Sequence, residues 1–149
     1  MRKIESISVF DMLKIGVGPS SSHTLGPWRA ALRWIEKLKQ KNKFDNVVQI
    51  TVELYGSLTL TGKGHATDIA VLLGLEGLDP KTFPIAEINT VIDHITTTGQ
   101  IQFNRERTLN FSPDNGIIFN RKFKEFHPNG ITFRAVLASG KKTSDTFYS

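Results

Sequence analysis

The sequence predicts a single α+β domain, an α/β sandwich in which helices cover an antiparallel or mixed sheet. Three observations carry this reading. The length, 149 residues, is that of one ordinary domain, so 1–149 is read as one unit. Apolar residues recur at three- and four-residue spacing around 28–42 and 86–98, the period of helices with one buried face. β-branched and aromatic runs of strand length fill 46–60 and most of the last third of the chain.

Taken in order, Ile7, Phe10 and Leu13 suggest a short helix over 7–15 that ends at Gly16. Pro27 suits the first turn of a second helix, whose apolar stripe is Trp28, Ala31, Leu32, Ile35 and Leu38 and whose end is Asn42. Val47, Val48, Ile50, Val52, Leu54 and Tyr55 mark a strand over 46–60. Thr67 or Asp68 can cap a third helix that is apolar all round through Leu75, as a core element should be, and that Gly74 and Gly77 weaken. Ile88, Val91, Ile92 and Ile95 share one face of a fourth helix over 86–98, with Gly99 as its stop. Beyond it, 101–103, 108–111 and 117–119 read as short strands, punctuated by Pro113-Asp114-Asn115-Gly116. Residues 131–137 and 143–148 flank Ala138-Ser139-Gly140-Lys141 as a hairpin, so the C-terminal third is expected to be antiparallel sheet.

Composition excludes several classes of function. With 39% hydrophobic and 22% charged residues the chain is neither disordered nor membrane-spanning, because no tract approaches the roughly 20 apolar residues a span needs. The start Met1-Arg2-Lys3-Ile4-Glu5 meets acids at Glu5 and Asp11 rather than an apolar run, which argues against a secretory signal and makes the cytoplasm the expected compartment. Zero cysteines exclude disulfides, thiolate nucleophiles, thiolate zinc sites and any iron–sulfur cluster held wholly by this chain. The net charge of +5 concentrates in Arg33, Lys37, Lys39, Lys41 and Lys43, where cations complement the dipole at a helix end, so no nucleic-acid partner is expected. The chain stops at Ser149 in the tail of a predicted strand, so it is expected to be a piece of a longer polypeptide.

Two loops carry the chemistry. In Gly18-Pro19-Ser20-Ser21-Ser22-His23-Thr24-Leu25-Gly26-Pro27, hydroxyls and a histidine precede a helix start, where unpaired backbone amides favour an anion such as a carboxylate. The plainer alternative is that Ser22 or Thr24 only caps the helix. In Thr61-Gly62-Lys63-Gly64-His65-Ala66-Thr67-Asp68, His65 precedes another helix start, whose dipole disfavours the imidazolium; a neutral imidazole can accept a proton from carbon beside a carboxylate. Equally, His65 could bridge loop backbone groups. Gly-Lys-Gly lacks P-loop spacing. His94 lies off the apolar stripe and is read as solvated, and His127 before Pro128-Asn129-Gly130 is read as part of a turn. No carboxylate pair or His-x-x-x-His spacing points to a metal site.

Ser8-Val9-Phe10-Asp11-Met12, the run from Lys14 to Pro27, Tyr55-Gly56-Ser57-Leu58-Thr59-Leu60-Thr61-Gly62-Lys63-Gly64-His65, Thr67-Asp68, Asp114-Asn115-Gly116, His127-Pro128-Asn129-Gly130 and Phe147-Tyr148-Ser149 together resemble the β-domain, or β-chain, of bacterial iron–sulfur-dependent L-serine dehydratases. The resemblance spans nearly the whole chain, with 79–110 generic. It implies an L-serine ammonia-lyase that forms pyruvate and ammonia without pyridoxal phosphate. Its 4Fe-4S cluster would be held by the cysteines of an absent α-domain, fused or separate, and an open iron position would act on the substrate hydroxyl. By the same resemblance His65 is the expected base and His23 a second acid/base or hydroxyl-orienting group. Ser20, Ser21, Ser22, Thr24, Lys63 and Gly64 are expected around the substrate, and the enzyme is expected to be a homo-oligomer. The isolated chain is expected to be inactive. The alternative is a regulatory module that binds serine or a related amino acid and controls the catalytic domain.

Overall fold

The computed structural model describes residues 25–56, 66–120 and 129–148. The helix expected over 7–15 and residues 57–60 of the strand expected over 46–60 lie outside them.

Helix α1 (Leu25–Gln40) buries Trp28, Ala31, Ile35 and Leu38, as its spacing predicts, and also Trp34. Two buried faces rather than one explain the addition: α1 has the main sheet on one side and helix α2 (Ala66–Leu75) with the hairpin over 100–110 on the other. Asn42 terminates α1 in the left-handed region, φ 58°. The Lys43 N–H donates to the Leu38 carbonyl at 2.8 Å and the Asn42 N–H to that of Lys39 at 3.1 Å, the paired bonds of a Schellman end.

A 3₁₀ turn (Phe44–Asn46) leads into β1 (Val47–Gly56), the second strand of a four-stranded sheet in which it lies between strands from the last third of the chain. β5 (Asn129–Leu137) and β6 (Lys142–Tyr148) form the expected hairpin, antiparallel to each other, with β5 also antiparallel to β1. β4 (Ile117–Asn120) instead pairs with β1 in parallel, and β2 (Gln100–Phe103) and β3 (Arg107–Asn110) form a separate two-stranded sheet. The expectation of a wholly antiparallel C-terminal third is therefore corrected. A parallel partner needs a long crossover, and here α2, helix α3 (Ile88–Thr98) and the β2–β3 hairpin all lie between β1 and β4. Pro113–Gly116, expected as a turn, is a single helical turn before β4.

One face of the main sheet makes the core. Register aligns Phe119, Leu54, Ile131 and Phe147 in one row and Ile117, Val52, Phe133 and Asp145 in the next. Trp34 stacks on Phe133 with ring centroids 5.0 Å apart and reaches Phe103 of β2 at 6.0 Å, while Phe44 stacks on Phe103 at 4.7 Å. The buried residues form one cluster running from the main sheet through α1 to the hairpin. Register slips by one residue between Val47 and Gln49, so both Val47 and Ile50 are buried while Val48 is exposed. α3 stops at Gly99, which takes φ 68° and donates to the Ile95 carbonyl at 2.9 Å, as the sequence predicts. Among the described residues no helix is long and apolar enough to cross a membrane.

Candidate functional site

Every residue singled out for chemistry, Ser20, Ser21, Ser22, His23, Thr24, Lys63, Gly64 and His65, lies outside the described residues, as does His127. What the structure gives is the pair of helices that follow the two loops in sequence. α1 opens at Leu25, directly after Thr24, and α2 opens at Ala66, directly after His65. These helices pack against each other: a Cβ built on Gly74 of α2 would lie 2.5 Å from the Trp28 carbonyl oxygen and 2.7 Å from the Ala31 Cβ of α1. The Trp28 indole N–H donates to the Leu78 carbonyl just beyond α2 at 2.7 Å, a second tie between them.

Thr67 and Asp68, expected as helix caps, lie inside the first turn of α2, because the helix already begins at Ala66. Both are buried, and the Asp68 carboxylate accepts the Ile69 N–H at 3.0 Å. An acid in the first turn lies against the free amides and positive end of the helix, which stabilises the early start.

The structure adds two polar constellations that the sequence did not single out. At the end of α2, Glu76 is 1% exposed. One carboxylate oxygen accepts the Gln102 backbone N–H at 3.0 Å and the other pairs with Arg105 at 3.1 Å. Burial pushes its carboxyl above the usual glutamate range, and the Gln102 N–H, the Arg105 charge and the nearby His94 offset only part of that rise. Glu76, Glu87, His94 and Arg105 face a cleft of about 550 Å³, and His94 is exposed, as expected. Asn104 and Arg105 both hold left-handed backbone, φ 52° and 58°, as a tight hairpin turn of this hand requires. An arginine is a costly occupant of that conformation, and its ion pair with a buried carboxylate accounts for its presence. Glu76 is thus a tie between α2 and the hairpin. A single acid closing an apolar helix was its only signal in the sequence.

On the other face of the main sheet, Glu53 of β1 pairs with Arg134 of β5 at 2.6 Å and accepts a hydrogen bond from the Asn120 side chain of β4 at 2.7 Å. Burial raises the Glu53 carboxyl, but the hydrogen bonds from Asn120, Arg134 and Tyr55 and the Arg134 charge together hold it below the usual range. Three strands are joined through this one side chain.

The basic end of α1 is exposed, and several of its cations also have partners. Lys37 pairs with Asp145 at 2.7 Å, Lys39 pairs with Glu106 and lies 4.9 Å from the Phe44 ring centre, and Lys43 reaches the Thr143 hydroxyl at 3.4 Å. The donor set does not fit an iron–sulfur cluster: the sequence has no cysteine, and among the described residues no group of three or more histidine, aspartate or glutamate side chains could hold a metal ion.

Residues 8–149 match the family described as "Serine dehydratase beta chain". The chain is 43% identical to an L-serine dehydratase of Haemophilus influenzae over 131 residues, covering 87% of this chain and 29% of that protein. It is 42% identical to an L-serine dehydratase of Streptomyces coelicolor over 97% of its length and 32% of that protein's. With L-serine dehydratase 1 of Escherichia coli the identity is 40%, over 96% of this chain and 32% of the relative. The chain therefore spans about a third of the length of these curated relatives.

Proposed function

Because the chain belongs to the serine dehydratase beta-chain family, we propose that it is the cysteine-free portion of an L-serine ammonia-lyase, supplying acid/base and substrate-binding residues to a site completed by a second domain. The observation that carries this reading is the family match itself, which spans 8–149 and so includes both histidine-bearing loops. In the proposed reaction L-serine loses its α-hydrogen and its β-hydroxyl as water; the resulting aminoacrylate hydrolyses through its imine to pyruvate and ammonia.

His65 is assigned as the base that takes the α-proton, since an imidazole ahead of a helix start is held neutral. His23 is assigned to the substrate hydroxyl as a second acid/base or orienting group. Ser20, Ser21, Ser22, Thr24, Lys63 and Gly64 are assigned to the substrate's carboxylate and ammonium surroundings, with the free amides ahead of α1 favouring the anion. The 4Fe-4S cluster of the resemblance finds no ligands in this chain, so it belongs in the proposal to the partner domain, and no step is derived through it. A homo-oligomeric assembly is part of the same reading.

The test is His65→Ala in the complete enzyme with its cluster spectrum unchanged. Turnover should fall on the order of 10²–10⁴-fold. Wild-type turnover in that variant, together with tight L-serine binding to this chain alone in calorimetry, would replace the catalytic reading with that of a serine-sensing module.

A further inference from the structure

The described arginines of the fold are either engaged or without an ion pair, and Lys41, Lys81, Lys141 and Lys142 likewise show no ion pair among the described residues. Lys37, Lys39, Arg105 and Arg134 are ion-paired, and the Arg107 guanidinium donates to the Phe44 and Val47 carbonyls at 2.9 and 2.7 Å. Arg29 and Arg33 have no such partner among the described residues; they sit four residues apart on α1 and are both exposed, so that their side chains leave the same face of the helix. Beside them lies a cleft of about 220 Å³. Ala30, Ile131 and Phe147 give it apolar walls, and Arg29, Arg33 and Tyr148 line it too. Tyr148 is 47% exposed, one of three exposed large hydrophobic side chains among the described residues.

Exposed arginine and tyrosine beside apolar side chains are residue types enriched at interface centres, since they bring large contact area and planar hydrogen-bonding groups at modest desolvation cost. We propose that this face of α1, with the end of β6, docks the domain that completes the enzyme, and that a carboxylate-bearing segment of that domain enters the cleft between Arg29 and Tyr148. Two features favour this occupant. The face belongs to the helix that opens directly after the Ser20–Thr24 loop, so it adjoins the chain assigned to the composite site. Its two guanidiniums, without an ion pair among the described residues and on a chain of net charge +5, favour an acidic counterpart. Elsewhere Arg105 is engaged by Glu76 in the larger cleft, and Arg134 by Glu53 on the outer sheet face.

The inference rests on the reading above that such a domain exists, and its test is independent of the histidine assignments. In the complete enzyme, a photo-crosslinking amino acid at Arg33 and, separately, at Tyr148 should capture acidic peptides of the cluster-bearing domain. Arg29→Glu with Arg33→Glu should weaken association of the two parts on the order of tenfold or more, or raise hydrogen exchange at their junction if they are fused. Crosslinks only to a second copy of this chain, no crosslinks, or an unchanged association would overturn the docking face. If His65→Ala keeps full turnover while the crosslinks still form, the catalytic assignment fails and the docking face stands. Loss of turnover in His65→Ala with crosslinks absent gives the reverse.

Discussion

The backbone of α2 touches that of α1 at Gly74, where the space for a Cβ is already occupied by the Trp28 carbonyl oxygen, 2.5 Å away. Glycine in a helix ordinarily costs about 1 kcal/mol relative to alanine. Here that cost is outweighed by the close approach it permits. Gly74→Ala should therefore destabilise by about 1–3 kcal/mol, as overpacking does, in chemical denaturation of this chain. A raised or unmoved midpoint would mean that the two helices can separate freely.

The two tryptophans of α1 give a second expectation. Both are buried, Trp28 to 1% exposure and Trp34 to 0%, so replacing either with phenylalanine opens a similar void. Only Trp28 donates a hydrogen bond, to the Leu78 carbonyl at 2.7 Å; the Trp34 Nε1 has no partner among the described residues. Trp28→Phe should cost about 1–2 kcal/mol more than Trp34→Phe by thermal or denaturant unfolding. Equal losses would show that the Leu78 bond contributes nothing.

Glu76 sets a pH dependence of definite sign. Its carboxyl is raised by burial, so the folded chain holds that proton more tightly than the unfolded chain does. Its contribution is most favourable below the ordinary glutamate range and declines as pH rises from that range through the raised value. Glu76→Gln keeps an acceptor for the Gln102 N–H and removes the titration. The variant should lose less stability than wild type over that window, and identical pH profiles would contradict the assignment. Glu53, held below the usual range, acts in the opposite direction, losing its contribution as pH falls.

Much of this fold is legible residue by residue. Asn42 and Gly99 end their helices because they enter left-handed backbone cheaply, a property of the residue itself. The alternation in 143–148 likewise declares a half-exposed strand. The burial of Trp34, the one-residue slip at Val48 and the parallel pairing of β4 depend on what the rest of the chain places opposite, which local spacing does not encode. The Gly74 contact was legible only as a weakness of its helix, since a glycine retained for close approach and one that merely destabilises look the same in a sequence. For the candidate site the loops stand out by their density of hydroxyls and imidazoles, and the described structure speaks to the helices after them. Glu76 and Glu53 were not singled out, because a lone acid acquires chemical character only from burial and partners.

The central position of β1 has a consequence for the order of events during synthesis. Both of its hydrogen-bonding neighbours, β4 and β5, come from the last third of the chain. A nascent polypeptide that has released β1 and both core helices from the ribosome still has two bare edges on its middle strand, and they close only when 117–137 emerges. Until then the growing chain is most open to pairing with the wrong partner, so a pause in translation just before β4 would prolong its exposure to aggregation.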